Sequence, residues 1–543
     1  MTQFSRRQFL KMGSVVMAGA AFGSVLSACG GSNSAERATD QVVVAMSASS
    51  EPAAGFDPCI SWGCGEHVHE PLIQSTLITT NTDLEFVNDL ATSYKCSDDG
   101  MTWTFNLRKD VKFTDGQPLT AADVAFTINT INASDKSEAD LSSVKKAEAV
   151  SDYKVKLRMA KPNNALLYTL AVVGIVPKHA YSEDYGTNPI GSGRYKLEQW
   201  NQGQQVILTA NPDYYGDAPI MKTVVVMFMD EDAAMAACES GDVDIAYTSA
   251  TKATSVPKGC ELLSCKSVDS RGLSLPTVAA AGKTREGMDG EDHPVGNDVT
   301  CNLALRRAMN YGLDRQAVID NVLNGHGTVA YSVADGAPWA SDDMKVEYDL
   351  DKAKKILADD GWVAGDDGVL VKGDVRAAFD LLYASNDSSR QAMCMEFSNQ
   401  MTALGIDVTL KGGDWDTDLY PHQFDTPVFW GWGSNAPIEM YQLLHSKGWG
   451  NVSSYFNDKI DRNLDKALEA PTIEDSYQYY KKAQWDPETK TGVAPQGAAT
   501  WVWIANIDHL YFKQEGLEVA EQKPHPHGHG WSLVNNVDKW TWK

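Results

Sequence analysis

The chain has few long apolar runs. Only residues 12–25 approach one, and they fall short of the ~20 residues a spanning helix needs, which argues against a membrane-spanning protein. Positive charge is also scarce: 47 Lys and Arg stand against 72 Asp and Glu, a net charge of −25. Nucleic acid is therefore excluded as a partner, since phosphate neutralisation needs a basic face. The nine cysteines include no C-x2-C pair, which removes zinc-ribbon and thioredoxin-like redox readings. No G-x-S-x-G elbow occurs, so a lipid-anchored hydrolase, the alternative from another functional class, has no nucleophile motif. Gly191-Ser192-Gly193 lacks the following Gly-Lys-Ser/Thr of a phosphate loop. No internal repeat is visible. The expectation is a protein that is not an enzyme and carries no resident cofactor.

What is present begins with an address. Ser5-Arg6-Arg7-Gln8-Phe9-Leu10-Lys11 is a twin-arginine export pattern, and Leu26-Ser27-Ala28-Cys29 has the form of a bacterial lipobox. Residues 1–28 then read as a signal peptide, Cys29 as the lipidated residue, and residues 29–41 as a Gly/Ser-rich tether. Loss of the leader's three cations takes the mature chain to about −28, a charge that suits solubility at a cell surface. Eight cysteines remain. Cys59/Cys64 and Cys260/Cys265 share one spacing, and outside the cytoplasm local disulfides are plausible, with Cys59–Cys64 the leading candidate.

Residues 89–126 carry the strongest local signal. Trp103, Phe105 and Leu107 alternate as in half-buried strands, Asp99-Gly100 and Asp115-Gly116 supply turns, and Thr120 with Asp123 forms a helix-capping pattern. The run Ser97-x-Asp99-Gly100-x-Thr102-x-Thr104-Phe105-x-Leu107-Arg108, continued by Val111-Lys112-Phe113 and Asp115-Gly116-x-Pro118-Leu119-Thr120-Ala121, resembles the signature of the peptide/nickel family (family 5) of solute-binding proteins of ABC importers. Asn211-Pro212-Asp213-Tyr214-Tyr215-Gly216, Ser240-Gly241-Asp242-Val243-Asp244 and residues 303–357 extend the resemblance over nearly the whole mature chain. It implies an α/β, two-lobed periplasmic-binding-protein-like fold (type II), with an extra α/β subdomain in the first lobe. It places lobe I at 42–275 with the insertion at about 75–170, lobe II at 276–499, and a return to lobe I at 500–543. Residues 501–504 read as the crossing strand, 68–74 as a helix, and 279–300 as an exposed loop.

The resemblance further implies a ligand held between lobes that close on it, delivered to permease and ATPase subunits by a monomer lipid-anchored outside the cell. Three stretches are candidate cleft linings. The first supplies Trp62, His67, His69 and Glu70; the second Trp430, Trp432 and Asn435; the third His525, His527 and His529. Tryptophans offer rigid contact area and a face for cations. His67, His69, His525, His527 and His529 also make a metal or metal chelate a candidate transported ligand. The family's peptide binders carry an acid just before the proline of the second stretch. Here Ala436 precedes Pro437, and Glu439 is the available substitute.

Overall fold

The computed structural model describes residues 38–543 except 62, 65, 66, 135, 528 and 529, with backbone only for 63, 64, 67 and 68. The export leader, Cys29, Trp62 and His529, and the side chains of Cys64 and His67, lie outside the described residues.

Two sheets organise the rest. In the first, strands run in the order 195–201, 205–210, 223–228, 41–46, 245–248, 509–514 and 260–265. Its centre is Gln41–Met46, a β-branched strand parallel to both Thr223–Phe228 and Ile245–Thr248. Val42, Val44, Val224, Val226 and Ile245 are all fully buried, as expected where a strand is covered on its faces. The second sheet runs 327–329, 501–507, 270–274 and 429–432. The parallel pair Ala378–Ala384 and Asp407–Gly413 abuts it through a bridge between Leu382 and Val428.

The chain passes between the sheets twice. Strand Cys260–Cys265 lies in the first sheet and Ser270–Ser274 in the second; Trp501–Ile507 lies in the second and His509–Gln514 in the first. The changes of sheet thus fall at 266–269 and at Asp508. Residues 501–504, read as the crossing strand, lie wholly in the second sheet, and the crossing comes at the end of their strand. Val502, Ile504 and Ala505 are fully buried in the second core, and Val502 pairs with Leu273. The backbone there is committed to the second sheet until residue 508.

The signature region folds as its residues dictate. Ala91–Cys96, Thr102–Leu107, Lys154–Met159 and Val144–Ser151 form a four-stranded antiparallel sheet with Trp103, Phe105 and Leu107 facing its core. Gly100 and Gly116 take φ of 69° and 86° in the turns. Thr120 and Asp123 close the capping box of helix Ala121–Ala133. Away from the crossings, this subdomain touches the second lobe: the Asn164 side-chain amide donates to the carbonyls of Ala467 (2.8 Å), Ala470 (3.1 Å) and Thr472 (3.2 Å).

Two local expectations differ. Residues 71–74 are not helical: the chain bends at 72–74, where the Tyr195 amide donates to the Leu72 carbonyl and the Gly193 amide to that of Ile73. Residues 279–300 contain a hairpin, Lys283–Glu286 with Asp292–Val295, turning at Gly290. The first contact also explains the Gly-Ser-Gly motif. A Cβ on Gly191 would lie 1.9 Å from the Ile73 carbonyl oxygen, and one on Gly193 2.4 Å from that of Leu72. The glycines allow close backbone packing, and the obstructing atoms are main chain that cannot rotate away. Gly191→Ala is accordingly expected to cost at least about 2 kcal/mol in denaturant unfolding, the upper part of the range for overpacking.

Candidate functional site

Two adjoining cavities lie between the lobes. The first, about 310 Å3, is bounded on one side by Ser47, Glu231, Tyr247 and Ser249, and on the other by Asp387, Arg390, Trp415 and Trp430. Residues 47, 249 and 386 follow the carboxyl ends of strands in both lobes, where open α/β sheets present their ligand sites. The second, about 240 Å3, takes His69, Lys523 and His525 from the first lobe, Tyr168 from the subdomain, and Asn435 and Glu439 from the second. Trp432 borders both cavities.

Strand Phe429–Trp432 makes the wall between them, and its alternation divides two tasks. Trp430 and Trp432 stand on one face and extend an aromatic ladder: Trp415 to Trp430 at 5.3 Å, Trp430 to Trp432 at 6.0 Å, Trp432 to Trp449 at 5.4 Å between ring centroids. Trp430 donates to Ser274 Oγ at 3.0 Å, whereas Trp432 Nε1 has no hydrogen-bond partner among the described residues. The glycines face the crossing. A Cβ on Gly431 would meet Arg271 Nη1 at 2.3 Å and His527 Cε1 at 2.6 Å; one on Gly433 would meet the Val268 carbonyl oxygen at 1.9 Å.

That crossing holds a buried ionic node. Asp269 receives Arg271 Nη2 at 2.8 Å, and its carboxylate lies 2.8 Å from His527 Nδ1 and 3.1 Å from His509 Nε2. Burial alone would push the carboxyl up, but Arg271, His527 and His509 hold it well below the usual carboxylate range. His509 Nδ1 lies 3.2 Å from His525 Nδ1, and the His525 imidazole is kept well below its ordinary pKa by burial and by His509, His69 and Lys523. Backbone bonds lace the loop to the crossing: the Val268 amide donates to His525, the His525 amide to Lys266, and the His527 amide to Gly433.

The structure therefore brings His69, Glu70, Trp432, Asn435, His525 and His527 to one cavity, with Trp430 on its neighbour. Glu70 is ion-paired with Lys523, Asn435 donates to the Pro524 carbonyl, and His69 Nδ1 is 3.3 Å from Ser532 Oγ. Among the described residues, no group of three or more His, Cys, Asp or Glu side chains is placed to hold a metal ion. Cys59 is buried, with its thiol pKa raised by that burial and by Asp57, and the side chain of Cys64, its partner in the bond expected from spacing, lies outside the described residues.

Sequence reasoning passed over Arg390 and Asp387. Arg390 Nε bonds Asp387 at 3.0 Å, its Nη1 donates to the Phe429 carbonyl, and its guanidinium lies 5.2 Å from the Trp415 ring centre. Burial and Arg271 bring its pKa down to about 10. A signal existed: Asp387 caps helix Ser388–Thr402, and Arg390 puts a cation in the first turn, where the helix dipole favours anions.

The profile of the bacterial extracellular solute-binding proteins, family 5 Middle, matches residues 85–452. This chain belongs to that family. Protein XP55 of Streptomyces lividans is 30% identical over 455 residues, covering 80% of this chain and 79% of its own. The oligopeptide-binding protein AppA of Bacillus subtilis is 28% identical over 570 aligned positions, covering 98% and 99%. The fold is that of NikZ from Campylobacter jejuni, solved with Ni(L-His), at a TM-score of 0.78 and 23% identity over 93% of this chain and 100% of that one. The two-lobed type II architecture follows.

In this family 5 protein, Glu439 sits six residues beyond Gly433, whose amide it accepts at 2.9 Å. Burial pushes its carboxyl up to about 8, against the lowering effect of the Gly433 and Ser434 amides and with a further rise from Asp269. The folded state thus holds a proton that the unfolded chain releases near its ordinary value of 4.5, so stability declines as pH rises from about 4.5 through 8. Glu439→Gln is expected to remove this component. Its stability relative to the parent should climb across that window by up to about 1.4 kcal/mol per pH unit, read by urea unfolding at several pH values.

Proposed function

We propose that this protein captures a peptide or peptide-like solute between its lobes and delivers it to the permease and ATPase subunits of an ABC importer. It acts as a monomer exported by the twin-arginine route and tethered outside the cell by acylated Cys29. The observation that carries the reading is the pair of adjoining inter-lobe cavities, with Arg390 on one and Glu439 on the other supplying chemistry for both ends of a zwitterion. Arg390, next to Arg271, offers guanidinium donors for a carboxylate, and Glu439 offers a carboxyl that regains its charge when an ammonium enters. The tryptophan ladder between them grips side chains of varied shape through rigid area, as suits a binder of peptides. AppA, its relative along nearly the full chain, is named for oligopeptide binding.

A second reading, capture of a nickel or other metal chelate, is supported by the three imidazoles of His69, His525 and His527 around the second cavity. A chelate brings most of its own ligands and needs few from the protein, so the absence of a complete metal-holding group among the described residues leaves room for it.

Thermal-shift screening separates the two, because a ligand that binds only the native state raises the melting temperature. Peptide mixtures are expected to raise it, and Trp432→Ala to weaken the binding peptide about tenfold, the loss of one well-packed aromatic contact. If only nickel–histidine mixtures shift the transition, and His527→Ala abolishes that shift, the peptide reading fails.

A further inference from the structure

Outside the cleft, a different pair of side chains meets in lobe I. Cys238, in helix Glu231–Ser240, and Cys260, the first residue of strand Cys260–Cys265, place their sulfurs 3.2 Å apart. Both are buried, at 0% and 8% exposure, in an apolar cluster with Ala45, Val243 and Phe512. Gln514 reaches over both: its Nε2 donates to the Cys238 carbonyl and lies 3.7 Å from Cys260 Sγ. The two sulfurs already touch across packed elements, and an approach of about 1 Å brings them to the ~2.05 Å of a disulfide.

We infer that Cys238 and Cys260 form a disulfide in the mature protein. The geometry replaces the local Cys260–Cys265 pairing suggested by spacing. Residues five apart on a strand point to opposite faces, and Cys265 is packed in the other core, with Val44 and Tyr511. Among the described residues, Cys59, Cys96, Cys301 and Cys394 belong to other parts of the fold. An oxidising space outside the cytoplasm supplies the partner: a disulfide, either small or carried by a thiol-oxidising protein. The Cys260 thiolate, on the slightly exposed residue, attacks that disulfide, forms a mixed disulfide and releases one thiol. The Cys238 thiolate then attacks Cys260 Sγ and releases the second. Two protein thiols become one S–S bond, and the reagent takes up the two electrons and two protons as two thiols.

The bond closes residues 239–259, which include strand Ile245–Thr248 and the cavity-lining Ser249. It also fixes the helix bearing Glu231 to the strand that leads into the crossing at 266–269. Its effect is to stiffen the first lobe where ligand and hinge meet.

Peptide mapping tests the inference on the mature protein treated with oxidised glutathione, alkylated with iodoacetamide and cut with trypsin without reduction. Cleavage after Lys222, Lys252, Lys258 and Lys266 places Cys238 in peptide 223–252, and Cys260 with Cys265 in peptide 259–266. The expected product is these two peptides joined, with Cys265 alkylated. Dithiothreitol should separate them and lower the melting temperature of the intact protein by several degrees; Cys238→Ser should abolish the cross-link and leave Cys260 as its glutathione mixed disulfide or alkylated. Recovery of Cys238 alkylated, of peptide 259–266 closed on itself, or of a cross-link through Cys265 would overturn it.

Discussion

The Asp269 carboxylate is the point on which the rest of this molecule turns. It sits where the chain leaves one sheet for the other, and it gathers Arg271 from the strand that follows, His509 from the strand that returns, and His527 from the C-terminal loop. A buried charge is tolerable only when paired, and removing one partner of such a pair typically costs about 3–5 kcal/mol because the other is stranded. Here one carboxylate serves three partners on three separate segments. Asp508, at the second crossing, adds a smaller tie by accepting from Ser264 Oγ and Lys266 Nζ, both at 2.9 Å. The lobes are therefore joined by a well-specified seam, beside which Ala250, Ala253 and Leu510 of the first lobe pack into the second core.

The seam and the ligand wall are the same strand seen from opposite sides. Trp430 and Trp432 can line cavities because Gly431 and Gly433 let Arg271, His527 and the backbone of Val268 press against the reverse face. Period-two alternation thus sets the tryptophans on one face and the hinge contacts on the other, with His527 reaching both the hinge and the cavities. A solute touching the tryptophans is one strand thickness from the groups that define the crossing. Across the cleft, Asn164 already grips the turn after helix Asp458–Glu469, a contact far from the seam that lobe opening has to break. Closure driven by a ligand is then a matter of differential affinity for the closed arrangement.

Much of this was legible in the residues. The alternation of Trp103, Phe105 and Leu107, the turn glycines and the Thr120–Asp123 cap specify local structure directly, and the structure follows them. Family resemblance supplied the two lobes. In the Trp430-Gly431-Trp432-Gly433 stretch the tryptophans stand out as contact residues, while the glycines' role, admitting Arg271, His527 and the Val268 backbone, depends on the crossing. What stayed hidden depends on long-range pairing. Nothing local to Trp501–Ile507 says which sheet it joins, since a fully apolar strand suits the centre of either. Asp269, His509 and His527 are far apart in sequence, and only the topology makes them one cluster. The histidines drew notice as metal ligands, while in the structure His527 and His509 are partners of a carboxylate. Spacing likewise favoured Cys260 with Cys265, and strand geometry sets those side chains on opposite faces.

Function in this protein depends on a pair of lobes that close over a small guest. Small-angle X-ray scattering of the mature protein, with and without a saturating ligand found by the thermal screen, measures this most directly. The radius of gyration should fall on binding, as the lobes close over the guest. Superimposable curves at a ligand concentration where calorimetry registers full binding would contradict it.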